Sequence, residues 1–198
     1  MIAFNEMVQT AEDLPLTSKP HAYRWSVREF HLLAEKGIFT EDDRIELIEG
    51  TLIDMAPIGS GHAGHVKQLN HLFSARLDDV IIAVQDPVVL SDDSEPQPDI
   101  ALLRWRDDYY KNANPTAGDV LLIIEVADSS ADYDRSVKIP LYARHGIPEV
   151  WLIDLQKRRI EIYRNPSEGE YGSITFCREG RIAAESIRDV FIDVAELF

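Results

Sequence analysis

Two carboxylates, Asp99 and Glu125, stand 26 positions apart and each interrupts an apolar stretch, Gln97-Pro98-Asp99-Ile100-Ala101-Leu102-Leu103 and Val120-Leu121-Leu122-Ile123-Ile124-Glu125-Val126. If 99–103 and 120–124 are neighbouring antiparallel strands whose turn centres near Asn112, the register sets Asp99 opposite Glu125. Directly opposed residues have Cα atoms about 4.5–5.5 Å apart. Two ionised carboxylates about 4 Å apart, at an effective dielectric of roughly 20, repel by about 4 kcal/mol. Such a pair needs a proton, a cationic side chain or a divalent metal.

The elements around this pair predict a mixed α/β (α+β) fold in one domain over residues 21–198, preceded by a tail or arm over 1–20 that mixes acids, prolines and polar groups without period. Ser26-Val27-Arg28-Glu29 has the form of a capping box, and Phe30, Leu33 and Ala34 continue a short amphipathic helix to Gly37. Arg44–Ile48 and Thr51–Met55 flank Glu49-Gly50, which suits a tight hairpin. After Pro57 and a Gly59-Ser60-Gly61 turn, Val66, Leu69, Leu72, Phe73 and Leu77 recur at helical spacing. Val80–Val84 and Pro87–Leu90 read as strands, and 105–119 as a loop or short helix ending in a turn. Beyond Glu125, Ser129 and Ser130 are placed to cap a helix to about Arg144, bent or restarted at Pro140. Strands at Val150–Ile153, Arg159–Tyr163 and Ser173–Phe176 and an apolar segment from Val190 to Phe198 complete the chain.

Charge narrows the partners. The formal net charge of -15 opposes non-specific attachment to nucleic acid or anionic lipid. Yet Arg135, Lys138, Arg144, Lys157, Arg158, Arg159 and Arg164 lie close together in sequence, which leaves either a local basic surface or a solvated strand-and-turn face. Cys177 is the lone cysteine, no apolar run is long enough for a membrane span, and a cytoplasmic protein is the expectation.

The pair of acids suits Mg²⁺, with Mn²⁺ as a substitute. Mg²⁺ takes oxygen ligands, accepts one or two carboxylates and keeps waters or phosphate oxygens elsewhere. Asp99, Glu125 and the carbonyl of Val126 make such a partial set, and a metal held there would activate a water toward a phosphodiester. Lys138, one short loop and one helical turn past Glu125, is a candidate to position that water. Glu46 alternates with Ile45 and Leu47, as an extra acid at the site or as an ordinary hairpin residue. His62 is a candidate to meet substrate phosphate or metal-bound water, or to serve in helix capping or packing. Plainer readings stand beside these: Asp99 and Glu125 as strand-end residues paired with Arg104 or Lys138, Lys138 paired with Asp134, and Tyr142 packing a helix on the sheet.

Taken in order, Arg44-Ile45-Glu46-Leu47-Ile48-Glu49-Gly50, His62-Ala63, Gln97-Pro98-Asp99-Ile100, Ile124-Glu125-Val126, Asp134, Lys138, Tyr142-Ala143-Arg144, Gly146-Ile147-Pro148-Glu149 and Trp151-Leu152-Ile153-Asp154 resemble the Uma-two family of restriction-endonuclease-like proteins. The resemblance spans about residues 23 to 164. It implies the PD-(D/E)XK nuclease fold, a mixed sheet flanked by helices, with Asp99 and Glu125 matching the metal-binding acids. It implies a Mg²⁺-dependent endonuclease acting on DNA and, by resemblance to nucleases that cut duplexes as dimers, a homodimer. One position departs: where the nuclease pattern has a lysine two residues after the second acid, this chain has Ala127, and the resemblance favours Lys138 as the replacement. Without that lysine, the fold would be a catalytically inactive binding or regulatory module. A metal-dependent hydrolase of RNA or nucleotides is the third reading.

Overall fold

The computed structural model of the chain describes residues 22–40, 43–187 and 191–198, so the expected tail over 1–20 lies outside the described residues. The capping box forms as the sequence implies. Ser26 caps helix α1 (Val27–Glu35), and Glu29 reaches back to the Ser26 N–H. Strands β1 (Ile45–Ile48) and β2 (Thr51–Asp54) pair antiparallel across Glu49-Gly50, whose φ angles of 46° and 73° give the two left-handed residues of a tight hairpin turn.

Helix α2 (Ser60–Ser74) begins earlier than the apolar spacing suggests. Ser60 and Gly61 belong to its first turn, not to a separate turn, with Gly59 as the N-cap.

The centre is a six-stranded sheet in the order β3 (Val80–Val84), β4 (Ile100–Arg104), β5 (Val120–Ala127), β6 (Glu149–Asp154), β7 (Arg159–Ser167) and β8 (Glu170–Cys177). Only β5 and β6 pair in parallel, which makes the sheet mixed. The helical crossover between them comprises α3 (Ala131–Tyr133), a π-helical turn at Asp134–Lys138, and α4 (Ile139–Arg144). Pro140 stands in the first turn of α4. Having no N–H, and clashing with the carbonyl four residues back, it cannot continue a regular ladder, and the wide turn just before it absorbs the mismatch. The chain restarts its helix there.

Pro87–Leu90, expected as a strand, is not one. Val88 and Leu90 donate to Pro96 and Ser94 of the segment that follows, and Val89 to Pro115 on the other side, so the segment makes only isolated bridges and no continuous ladder. Pro87, Pro96 and Pro115 have no N–H to return those bonds. Strands β9 (Arg181–Ala183) and β10 (Phe191–Asp193) pair antiparallel, and a single 3-10 turn at Val194–Glu196 follows them.

Side chains alternate across the sheet. Ile100, Leu102, Leu122, Ile124, Val126, Trp151 and Ile153 face α2 and the β9–β10 pair. Ala101, Leu103, Ile123, Ala127, Val150 and Leu152 face α4, where Ile139, Tyr142 and Ala143 cover them.

Gly50 ties the hairpin to the body of the protein. A methyl group there would lie 2.6 Å from the Arg24 Cβ, on a residue already at positive φ. Gly50→Ala is therefore expected to lower stability by more than about 1 kcal/mol in thermal or denaturant melts, and an unchanged midpoint would contradict this account of the turn.

Candidate active site

The alternation along β4 and β5 decides where the two acids point. Asp99 shares the parity of Ala101 and Leu103, and Glu125 that of Ile123 and Ala127, so both carboxylates project to the face covered by α4. The pairs Ile100–Ile124, Ala101–Ile123 and Leu102–Leu122 follow the register expected from sequence, and a bulge shifts it only after Leu102, away from the acids. Asp99 and Glu125 stand one step beyond the Ile100–Ile124 pair. The Asp99 N–H points to Glu125 Oε2 at 3.4 Å, and the Val126 N–H donates to Asp99 Oδ2 at 2.9 Å.

Lys138 and Tyr142, four residues apart on the crossover helix, present one face to this pair. Lys138 Nζ lies 3.2 Å from Glu125 Oε1, and the Tyr142 hydroxyl donates to the same oxygen at 2.6 Å. Lys138 also donates to Glu46 Oε1 at 2.9 Å, an oxygen that accepts a further bond from the Gln97 N–H. Glu46 is therefore buried and turned toward Glu125 through the lysine, because β1 docks on the 93–97 segment through Leu47–Glu95 and Gly50–Asp93 backbone bonds. His62, in the first turn of α2, approaches from the other side and bonds Asp99 Oδ2 through Nε2 at 2.9 Å. Gln85 holds the second Asp99 oxygen at 3.3 Å.

Of the plainer pairings one forms, Glu125 with Lys138, while Arg104 Nε donates to the Gly118 carbonyl and Lys138 pairs with Glu46 and Glu125 rather than with Asp134. Ser130 is the N-cap of α3 by position, but its hydroxyl bonds the Asp134 carboxylate instead of a backbone N–H. Two residues of the site are invisible to strand reasoning. Tyr142 does pack the helix on the sheet, yet its hydroxyl also holds Glu125, and Asp134 lines the same cavity. Their signal in the sequence is the spacing Asp134, Lys138, Tyr142, four residues each time on one helical face.

Burial shapes the charges. Removal from water, with the negative Asp134, Asp99 and Glu46 nearby, pushes Glu125 up to about 8 although Lys138 pulls it down. Asp134 rises to about 6 for the same reasons, against Lys138 and the Ser130 hydroxyl. Burial opposes the ammonium of Lys138, but Glu125, Glu46 and Asp134 outweigh it and hold that group well above the ordinary lysine range. Burial beside Glu125 keeps the Tyr142 phenol protonated.

A cavity of about 240 Å³ opens onto Glu46, His62, Asp99, Glu125, Asp134 and Lys138. Among the described residues, no three His, Cys, Asp or Glu side chains form a ready-made metal cage. A partial set of hard oxygens is what Mg²⁺ takes. Buried carboxylates outnumber the buried ammonium here, and Glu46 Oε2 has no hydrogen-bond partner, so the donor set fits a divalent cation.

The basic run expected as a possible local surface is largely consumed elsewhere. Arg135 binds Asp132, Asp154 and Glu161, Arg159 binds Glu161, Arg164 binds Glu149 and Glu185, Lys157 binds Asp154, and Arg144 binds Glu49. Arg158 donates to the Phe198 carbonyl. These cations serve mainly to neutralise buried carboxylates at the far strands.

Residues 27–194 match the profile of the Uma2 family, described as "Putative restriction endonuclease". The chain belongs to this family. Among solved structures, a "putative nuclease belonging to DUF820" from Anabaena variabilis superposes with a TM-score of 0.67 at 18% identity, over 84% of this chain and 96% of that one. At that identity the likeness establishes the fold, a mixed sheet flanked by helices. No curated protein matches the chain in sequence. Two residues after Glu125 stands Ala127, while the Lys138 ammonium lies 3.2 Å from Glu125 from a different element.

Because the folded protein holds a proton on Glu125 up to about 8, and Asp134 up to about 6, it binds more protons than the unfolded chain above the ordinary carboxylate range. Stability of the metal-free protein should then fall as pH rises from about 4.5 to 8, by up to about 1.4 kcal/mol per pH unit per group. Urea titrations across that window should show the decline, and Glu125→Gln should flatten its upper part; a wild-type profile that rises or stays level would contradict it.

Proposed function

We propose that this protein is a Mg²⁺-dependent endonuclease that hydrolyses DNA phosphodiesters, with Mn²⁺ able to replace Mg²⁺. The observation that carries the reading is the convergence of Asp99, Glu125 and the Lys138 ammonium at the mouth of one cavity. Asp99, Glu125 and the Val126 carbonyl would hold the metal. When bound, it would lower the pKa of a water and offset charge developing on the phosphate.

The chain's own groups do the rest. Lys138, kept charged by its carboxylate neighbours, faces the Glu125 oxygen beside which a water would sit and steers that water toward phosphorus. Glu46 fixes the lysine by taking one of its three N–H bonds at 2.9 Å. Lys138 and Tyr142 both bond Glu125 Oε1, so that Oε2, which has only the long 3.4 Å contact from the Asp99 N–H, would be the oxygen to meet the cation. His62, at the rim on Asp99, is placed to meet a substrate phosphate or a metal-bound water.

A second reading, an inactive binding module, is favoured by Ala127 and by the pairing of the basic run with internal carboxylates. Purified protein incubated with supercoiled, linear and single-stranded DNA, RNA and nucleotides in Mg²⁺ or Mn²⁺ separates the readings. Wild-type protein should cut DNA, Asp99→Ala should fall to background, and Lys138→Met should lose about 10²–10³-fold in rate. Equal cleavage by wild type and Asp99→Ala would identify a contaminant, and preference for RNA or nucleotides would move the substrate class.

A further inference from the structure

We propose that the outer edge of β8 is the surface through which two copies of this chain pair, antiparallel and centred on Ile174. The inference rests on the strand itself and not on the chemistry of the cavity. Among the described residues, β8 closes one side of the six-stranded sheet and pairs with β7 alone, so along its eight residues every second one turns its N–H and C=O outward. Native edges are usually blunted by a charge, a proline or a bulge. From Tyr171 to Cys177 this strand has no charged residue and no proline, and its register against β7 runs without a shift. Ile174 is 50% exposed and Phe176 58%. They pair with Tyr163 and Glu161 of β7, and the Arg159 guanidinium lies over one side of the Phe176 ring, at 4.7 Å. The opposite edge, β3, carries no large hydrophobic residue as exposed as these.

The order of residues in the strand selects a copy of itself as the occupant. Outward and inward backbone groups alternate, so a strand paired antiparallel with its own copy must be centred on a residue. A centre between two residues would set outward groups against inward ones. Centred on Ile174, that rule sets Glu170 opposite Arg178, Gly172 opposite Phe176 and Ser173 opposite Thr175, with Ile174 facing its own counterpart. Each opposition is favourable. Glu170 and Arg178 are exposed and of opposite sign, and symmetry makes the pair twice. The Phe176 ring gains the space left by a glycine, and two hydroxyls meet. Centring on Ser173 or Thr175 loses the charge match, because Glu170 then faces Phe176 or Gly180. A two-fold contact of this kind closes on itself: it uses up both β8 edges and joins the two sheets into one.

Sedimentation velocity of the full chain over a wide range of concentrations tests this, with thermal melts to check that each variant folds. Wild type should be a dimer. Ile174→Lys, which sets two ammonium groups face to face, should weaken that dimer by more than about tenfold. Glu170→Arg should weaken it as well, and adding Arg178→Glu to that variant should restore it. The register has its own readout. In a Cys177→Ser background, Ile174→Cys should cross-link to its counterpart when treated with the thiol oxidant diamide, because opposed Cα atoms about 4.5–5.5 Å apart lie within disulfide range. A wild-type chain that stays monomeric at every concentration, or that forms open-ended aggregates instead of a dimer, would overturn the proposal. So would a dimer indifferent to Ile174→Lys. A dimer that Ile174→Lys dissolves, but that shows neither the charge rescue nor the cross-link, would overturn the pairing centred on Ile174. If the charged variants fail to fold, the cross-link decides: its absence in a folded Ile174→Cys protein would overturn the contact.

Discussion

A lysine ammonium with 3% side-chain exposure cannot stand inside a protein without anions in contact with it. Here Glu46 and Glu125 supply them at 2.9 and 3.2 Å, and the three residues come from a hairpin strand, the central strand β5 and the crossover helix. The lysine thereby ties three elements to one point. A buried ion pair of this kind contributes little net stability compared with an apolar replacement, but removing one partner strands the other charge, at about 3–5 kcal/mol. Its retention makes sense as specification of a site rather than as a source of stability.

The remaining architecture delivers groups to that point. Strand alternation turns Asp99 and Glu125 to the same face, the bulge in the β4–β5 ladder falls at the opposite end of the strands, and the π-helical turn brings Asp134 and Lys138 inward just ahead of Pro140. Helix α2, on the other face of the sheet, reaches past its end to set His62 on Asp99. What results is a small, strongly negative cavity with a single buried cation, poised for positive charge and for a phosphate brought in by it.

Much of this was legible in the order of residues. The Asp99–Glu125 register could be counted from their spacing, the Ser26–Glu29 box and the Glu49-Gly50 turn read directly, and Trp151 in its apolar strand lies in the core. Pro87–Leu90 misled because β-branched residues signal a strand whatever their partners, and here its bonds divide between the 94–96 segment and Pro115, whose prolines return none. The basic run is open to two readings for a related reason: sequence lists cations, but not the buried Asp154, Glu149 and Glu161 that pair with them from neighbouring strands. Tyr142 was visible as a packing residue, while its bond to Glu125 depends on how the crossover helix rotates, which no local pattern states. The inward turn of Glu46 likewise depends on a hairpin docking on a segment some fifty residues away.

The central claim is that Asp99 and Glu125 jointly hold a divalent cation beside Lys138. A crystal of the full chain soaked in Mn²⁺ and measured at the manganese absorption edge tests it most directly. The account predicts an anomalous peak at about 2.1 Å from an oxygen of each acid, with the Lys138 ammonium still on Glu125. Anomalous density confined to surface carboxylates, with Asp99 still closed onto His62 and the cavity filled only by water, would contradict it.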